Sequence, residues 1–235
     1  MAIPQYLAMT AAEMALAPLP PHPAWMACHF SPYSTGLTNL PQKLRQGSLL
    51  ILNDRTPIHC HDPERVCREL NEVLRRFDCV GLLVDFQNPA CPEAGALAAY
   101  LDTHLEAPMG IGPDYAGENT AVFLPPVPTD VTVEEYLEKW AGREIWLEAA
   151  LEGQNITLTP EGAVYAPNRC RDFDHIHEEK ILRCHYSMED TPEGITFHTW
   201  RTPEDLHDLL EEAEHQGVTR SVGLYQELGA CREGI

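Results

Sequence analysis

An unbroken apolar run from Cys79 to Val84 lies between two segments of helical periodicity and ends in Asp85. Such a run is typical of a strand buried on both faces of a parallel sheet, because a half-exposed strand would alternate with polar residues. Parallel strands are connected by crossovers, usually helices. The run therefore predicts an α/β protein in which Asp85 lies at the carboxyl end of a strand, where such folds bind ligands. Asp85 has a second interpretation as the cap of the turn before Asn88-Pro89.

Strand and helix patterns alternate along the rest of the chain. Asp62-Pro63-Glu64 has the residues of a helix N-terminus: an N-cap acid, a proline at the first position and an acid in the first turn. Further helices are predicted over 92–105 and 132–140 and from Thr202-Pro203 onward. Strands are predicted at 25–30, 49–53, 109–111, 121–124 and 144–149, with a neighbour at 155–158 expected to pair with 144–149.

The repeated unit and the length favour an α/β fold of the (β/α)8-type (TIM) barrel. The chain has 235 residues, and such barrels usually need ~250, so one unit is expected to be short or missing. Residues 1–23 are Ala- and Pro-rich and are predicted to be a short helix and a stiff lead-in. Residues 24–235 are then a single barrel domain, with an inserted hairpin or loop region at about 150–192, where periodicity is lost.

The segment from Gly81 to Gln87 resembles the strand-four signature of glycoside hydrolase family 18, the chitinases and their relatives, written DGxxDxDxE. Gly81 matches the glycine, Asp85 the last aspartate, Phe86 the aromatic residue and Gln87 the catalytic glutamate. Leu83 stands where the family has another aspartate. The resemblance implies that Asp85 orients the substrate's acetamido group, which is the nucleophile in this family.

Gln87 is the departure with the largest chemical consequence, because an amide cannot release a proton as a general acid does. The family's Met-x-Tyr-Asp strand, which supplies a tyrosine near the reacting sugar, is also not recognisable around Val122 to Pro126. The resemblance therefore implies a degenerate catalytic motif, with Asp85 and Gln87 in the catalytic positions.

The C-terminal part is similar to the close of the barrel in the spore-cortex, peptidoglycan-associated branch of the same family. Gly194 to Trp200 is a candidate strand with aromatic residues, a helix follows from Pro203, and Gly217 to Gly229 resembles the last strand. By this resemblance Tyr225 lies near the position of the family's last-strand tryptophan.

A barrel would collect polar and aromatic residues at the carboxyl ends of its strands. Aromatic faces stack on pyranose rings while carboxylates and amides bond hydroxyls, so such a mouth suits a carbohydrate containing N-acetylglucosamine. Besides Asp85 and Gln87, the candidate ligand-binding residues are Tyr33, Asp54, Arg55, Asp114, Tyr115, Glu148, Tyr225 and Glu227. Each of these eight is also explained by an ordinary salt bridge or by solvation.

Charge and composition exclude several other partners. The 36 acidic and 16 basic residues give a formal net charge of −20, which repels nucleic acid and anionic membrane surfaces. No apolar run reaches the ~20 residues of a membrane span, and the first 20 residues lack the basic start of a signal peptide, so the protein is expected in the cytoplasm with its eight cysteines reduced.

No metal and no cofactor is predicted. The segments His59-Cys60-His61-Asp62 and Asp172 to His177 contain ligand-type residues, but adjacent residues on one loop rarely converge on a tetrahedral ion.

Three functions from different classes remain open. The first is a degenerate family 18-like barrel that still binds an N-acetylated sugar or a peptidoglycan fragment. The second is an active glycosidase that pairs Asp85 with Asp54, Asp114 or Glu148; a separation of about 5 Å would suit a retaining pair and roughly 6.5–9.5 Å an inverting pair. The third is a non-catalytic scaffold or partner-binding barrel.

Overall fold

The computed structural model describes residues 3–15, 18–56, 58, 62–88, 91–151, 153–168, 173–192 and 194–229. The strands are β1 (Gln5–Met9), β2 (Pro23–Phe30), β3 (Leu37–Thr38), β4 (Leu49–Asn53), β5 (Gly81–Asp85), β6 (Met109–Ile111), β7 (Ala121–Leu124), β8 (Ile145–Glu148), β9 (Gly153–Thr159), β10 (Gly162–Asn168), β11 (His177–Glu179), β12 (Cys184–Thr191), β13 (Gly194–Trp200) and β14 (Val218–Leu224). The helices are α1 (Pro63–Arg76), α2 (Pro92–His104), α3 (Val133–Leu137), α4 (Pro203–His215) and α5 (Tyr225–Leu228).

Eight parallel strands close into a barrel in the order β1-β2-β4-β5-β6-β7-β8-β14, and β14 pairs with β1 to complete the ring. The predicted TIM-type fold is therefore confirmed. The helices are uneven: α1 and α2 follow β4 and β5, whereas short 3-10 turns, Glu13–Ala15 and Pro113–Tyr115, follow β1 and β6. The short β3 pairs antiparallel with the end of β2.

Local sequence signals explain where the long helices begin. The Asp62 carboxylate accepts the Glu64 N–H at 3.1 Å, with a proline at the first helical position. In α4 the Thr202 hydroxyl and the Asp205 carboxylate form a reciprocal capping box. These side chains satisfy N–H groups that have no partner within the helix.

Among the described residues, no helix combines the length and the apolar character needed to cross a membrane.

The barrel interior is filled around Trp146 of β8, which is fully buried. A Cβ atom on Gly110 of β6 would lie 2.2 Å from the Trp146 ring, so only glycine leaves room for the indole. The Arg220 guanidinium lies over the same ring, 4.5 Å from its centroid, and donates to the Val80 carbonyl at 3.0 Å. The interior is therefore a packed core closed beneath its mouth.

The predicted lead-in contains a barrel strand. The sequence indicated a short helix within residues 1–23, but Gln5–Met9 is β1 and pairs with both β14 and β2. Its alternate side chains Tyr6 and Ala8 join the barrel interior, while Leu7 packs with the surrounding helices. A five-residue strand among Ala and Pro residues has a weak local signal, and its two neighbours, one of them the last strand of the chain, supply the hydrogen bonds that define it.

An antiparallel sheet is inserted between β8 and α4, in the order β10-β9-β13-β12-β11. We refer to it as the insert sheet. Two predictions were wrong here. Gly194–Trp200 was expected in the barrel but is β13 of the insert sheet, and 155–158 was expected to pair with β8 but pairs, as part of β9, with β10 and β13. Both errors concern long-range pairing, which local periodicity does not specify.

Arg201 joins the insert sheet to the barrel. Its side chain is only 2 % exposed and donates to the carbonyls of Leu182 and Arg183 on one side and of Val127 and Pro128 on the other. Burial lowers the pKa of the guanidinium. One buried cation thus connects the loop after β7 to the residues just before β12. Without the guanidinium, the four carbonyls would lose these hydrogen bonds.

Candidate functional site at the barrel mouth

The side chain of Asp85 points into the barrel at its carboxyl end. Along β5, Leu82 and Val84 pack with the surrounding helices, whereas Leu83 belongs to the interior cluster around Trp146. Because strand side chains alternate, Asp85 shares the interior face of Leu83. It is the last residue of the fourth barrel strand and pairs in register with Asn53 of β4. The sequence-based placement of Asp85 at a strand end is therefore confirmed.

Gln87 contacts Asp85 directly. Its Nε2 donates to Asp85 Oδ1 over 2.5 Å. Burial raises the pKa of the Asp85 carboxyl, the Gln87 hydrogen bond lowers it, and the negative charge of Asp54 raises it again, with a net increase. Asp85 is thus a carboxylate held in a partly dry position, with an amide rather than a second acid beside it.

The Asp54 carboxylate accepts hydrogen bonds from the backbone of the loop that follows Asp85. Its Oδ2 accepts the N–H of Gln87 at 3.0 Å and of Asn88 at 3.3 Å. These bonds cross from the loop after β4 to the loop after β5 and fix the direction in which the chain leaves Asp85. Asp54 therefore lies beside the Asp85 group, where its carboxylate holds the loop that follows β5.

Aromatic side chains support this loop from the outer side. Phe86 faces away from Asp85 and contacts Phe30 and Tyr115, with ring centroids 6.0 and 5.9 Å apart. The Tyr115 hydroxyl donates to the Asn88 carbonyl at 2.5 Å. Burial is the largest of the effects that raise the Tyr115 pKa. Tyr115 thus lies next to the site, and its hydroxyl is engaged by the backbone.

Three other candidates lie in exposed positions near the same end of the barrel. Tyr33, on the loop between β2 and β3, is 96 % exposed. Arg55 and Asp114 are exposed as well, and the Arg55 N–H bonds to Asn53 Oδ1. Their side chains are not fixed by packing, so the structure places them at the periphery of the Asp85 group.

The remaining candidates belong to the far side of the mouth. Glu148 ends β8 two residues after Trp146, on the same interior face. Tyr225 was expected in the last strand but begins α5 after β14, and packs against the outer core. Glu227 accepts the Leu151 N–H at 2.5 Å and so secures the segment after β8.

Asn53 is a site residue that the sequence reasoning missed. It follows Leu49 and Ile51 of the barrel interior at intervals of two, and its Nδ2 donates to the Met26 carbonyl at 2.9 Å. The signal was present in the alternation of β4. Asn53 and Asp85 are in register on adjacent strands, so together they form an amide and carboxylate pair at the mouth.

Both histidine-containing segments lie partly outside the residues that the structure describes. Residues 59–61 and Asp172 lie outside the described residues. Within the described ranges, no group of three or more His, Cys, Asp or Glu side chains is arranged to hold a metal ion.

The fold is similar to that of several solved structures. One is human YKL-39, described as a pseudo-chitinase with retained chitooligosaccharide binding properties: TM-score 0.58, 10 % identity, 94 % of this chain and 92 % of that one. A second is the spore cortex-lytic enzyme SleL of Bacillus megaterium: TM-score 0.54, 12 % identity, 94 % and 70 %. A third is a mutant GH18 chitinase from Cycas revoluta in complex with (GlcNAc)4: TM-score 0.52, 11 % identity, 94 % and 94 %.

No protein-family model matches the sequence, and no curated protein matches it. The similarity is one of fold: the chain has the barrel seen in chitinase and SleL structures, with its own residues at the mouth.

Proposed function

We propose that this protein is a catalytically degenerate, family 18-like barrel that binds carbohydrate containing N-acetylglucosamine at its mouth. The observation that supports this most directly is the 2.5 Å hydrogen bond from Gln87 Nε2 to Asp85 Oδ1 at the end of the fourth barrel strand. It places an amide beside the one carboxylate that the resemblance assigns to the acetamido group. The fold shared with chitinases and with a pseudo-chitinase supports the same proposal.

Hydrolysis by the family mechanism needs an acid that protonates the leaving oxygen. Gln87 cannot supply that proton, and its amide is occupied in holding Asp85. Ligand binding makes no such demand. The Asp85 carboxylate accepts hydrogen bonds, such as that of an acetamido N–H, and the Gln87 amide has a second N–H and a carbonyl oxygen with which to bond hydroxyls.

An active glycosidase that pairs Asp85 with another carboxylate has less support. Asp54 already accepts two backbone N–H groups, and Asp114 is exposed at the periphery. Glu148 shares the interior face but stands across the ring, on the seventh strand against the fourth.

The test is a calorimetric titration of the purified protein with a short N-acetylglucosamine oligomer, followed by mass spectrometry of the recovered sugar. We expect binding with the oligomer intact. Asp85→Asn should weaken binding by roughly 1.5–3 kcal/mol, the value of a charge-assisted hydrogen bond. Asp78→Asn, the same change at an exposed acid before β5 and so at the opposite end of the barrel, is the control. Shortened products would contradict the degenerate assignment, and absence of heat would contradict the binding assignment.

A further inference from the structure

The two edges of the insert sheet differ sharply. The β11 edge has three residues, His177-Glu178-Glu179, and two of them are acids. The β10 edge has seven residues, Gly-Ala-Val-Tyr-Ala-Pro-Asn, and none of them is charged. Natural sheets protect exposed edges by making them short, charged or proline-containing, because an open edge pairs with other chains. The β11 edge has such protection, whereas β10 has only Pro167, near its end.

The β10 edge is open along most of its length in the described part of the chain. All residues from Gly162 to Pro167 are exposed, and β9 is the strand with which β10 pairs. In an antiparallel pair, alternate residues direct their N–H and C=O groups away from the partner strand. Val164 is 57 % and Tyr165 55 % exposed, so apolar side chains flank these groups on both faces of the sheet.

One face of the insert sheet continues this apolar character inward from the edge. Register places Tyr165 opposite Ile156, and Ile156 opposite Phe197 of β13. Phe197 is in turn opposite Met188 of β12. On the same face, Leu158 and Ile195 are a further opposed pair, and both are exposed, as is Met188. We refer to these six residues as the apolar face; it lies directly beside the open edge.

The charges of the insert sheet indicate the chemistry of a partner. Its five strands contain no Lys or Arg, but they contain Glu178, Glu179, Glu189 and Asp190. Asp130 lies against the edge as well, where it bonds to the Tyr165 hydroxyl and raises its pKa. A second copy of a chain with net charge −20 is repelled, whereas a basic segment is attracted.

We infer that β10 is a docking edge for an extended, basic segment of another protein, which adds a sixth strand to the insert sheet. Backbone hydrogen bonds to the open edge provide the affinity. Alternate apolar side chains of the segment lie against the apolar face, and its Lys or Arg side chains are attracted by Asp130 beside Tyr165 and by a sheet whose strands contain acids and no Lys or Arg. The inference does not depend on the proposed sugar site, because Asp85, Gln87 and Asp54 all lie outside the insert sheet.

The test uses a fluorescein-labelled nine-residue peptide of alternating Val and Lys, with fluorescence anisotropy as the readout and hydrogen exchange as the map. We expect saturable, salt-sensitive binding and slower exchange of the amides within 162–168. A peptide of the same composition with all Lys residues together should bind at least tenfold more weakly, since it matches the charge without the alternation.

The blocking variant is Ala163→Lys with Val164→Lys, which places a cation on each face of the edge. It should reduce the affinity at least tenfold while thermal melting shows an intact fold. The matched control is Ile176→Lys with Ile181→Lys, which adds the same charge at exposed positions before and after β11; Ile181 is 69 % exposed.

Equal loss in both variants, equal binding of both peptides, or protection outside 162–168 would each overturn the inference. A concentration-dependent dimer in light scattering that only the β10 variant abolishes would assign the edge to a second copy and would also overturn it.

Discussion

The amide of Gln87 donates to the carboxylate of Asp85 over 2.5 Å, at the end of the fourth strand of a closed parallel barrel. Burial raises the pKa of Asp85 in spite of this bond. A carboxylate in such a position costs stability when ionised, because its charge is better solvated in the unfolded chain. That cost is consistent with a residue retained for ligand binding.

Asp85→Asn should therefore stabilise the protein at neutral pH. The folded pKa lies above the unfolded value of ~3.9, so the wild type loses stability as pH rises between these two values, and the variant does not. Chemical denaturation at pH 3, 5 and 7 checks this. The variant should match the wild type at pH 3 and exceed it at pH 7; a variant less stable at pH 7 would contradict the direction of the Asp85 pKa shift.

Gln87→Glu should place two carboxyls in contact and force them to share a proton, because both cannot ionise at that distance. We expect the variant to be less stable than the wild type by ~1–3 kcal/mol at pH 8, with the difference shrinking toward pH 4. Gln87→Met, which loses the hydrogen bond without adding charge, is the control. A trace of chitinolytic activity in Gln87→Glu alone would support a catalytic ancestry.

Asp54→Ala should loosen the loop after Asp85, since it removes the acceptor of the Gln87 and Asn88 N–H groups. Hydrogen exchange at these two amides should accelerate, and the pKa of Asp85 should fall because a nearby negative charge is lost. Asp114→Ala, at an exposed acid on the neighbouring loop, serves for comparison. Unchanged exchange at Gln87 would remove Asp54 from the positioning role.

Gly110→Ala should destabilise the barrel by about 1–3 kcal/mol, the usual cost of overpacking a core. The added methyl would lie 2.2 Å from the Trp146 ring, and the Arg220 guanidinium packs against that ring. Gly112→Ala, two residues later with nothing within 4 Å of its Cβ position, is the matched control. Equal melting temperatures for the two variants would contradict the close packing described around Trp146.

Arg201→Leu should destabilise the protein by at least ~3 kcal/mol, because several buried carbonyls lose their donor together. Arg183→Gln removes a more exposed arginine that pairs with Asp208 and Glu212 of α4, and should cost less than ~1 kcal/mol. Thermal unfolding compares them. A small loss in Arg201→Leu would mean that the insert sheet is held mainly by other contacts.

The position of Asp85 could be predicted before the fold was known, because the end of a strand is set by the local sequence. The apolar run that stops at Asp85 predicted both the strand and the position of the acid, and β5 is found there. The same reasoning named Tyr33, Arg55 and Asp114 as ligand-binding candidates on the same terms as Asp54 and Tyr115, although the structure leaves only the first three exposed. A sequence position near a strand end does not determine how far a side chain is buried.

The sequence by itself determined the α/β class, six of the eight barrel strands and the starts of the main helices, because these depend on the spacing of apolar and capping residues within a few turns of chain. The last strand, within Gly217 to Gly229, was predicted from the family resemblance. Only the tertiary structure decided that Gln5–Met9 completes the ring and that Gly194–Trp200 joins the insert sheet. Strand partners lie far apart in sequence and are chosen by the backbone hydrogen bonds and side-chain packing that each alternative can satisfy. That choice also left β10 at an open edge of the insert sheet.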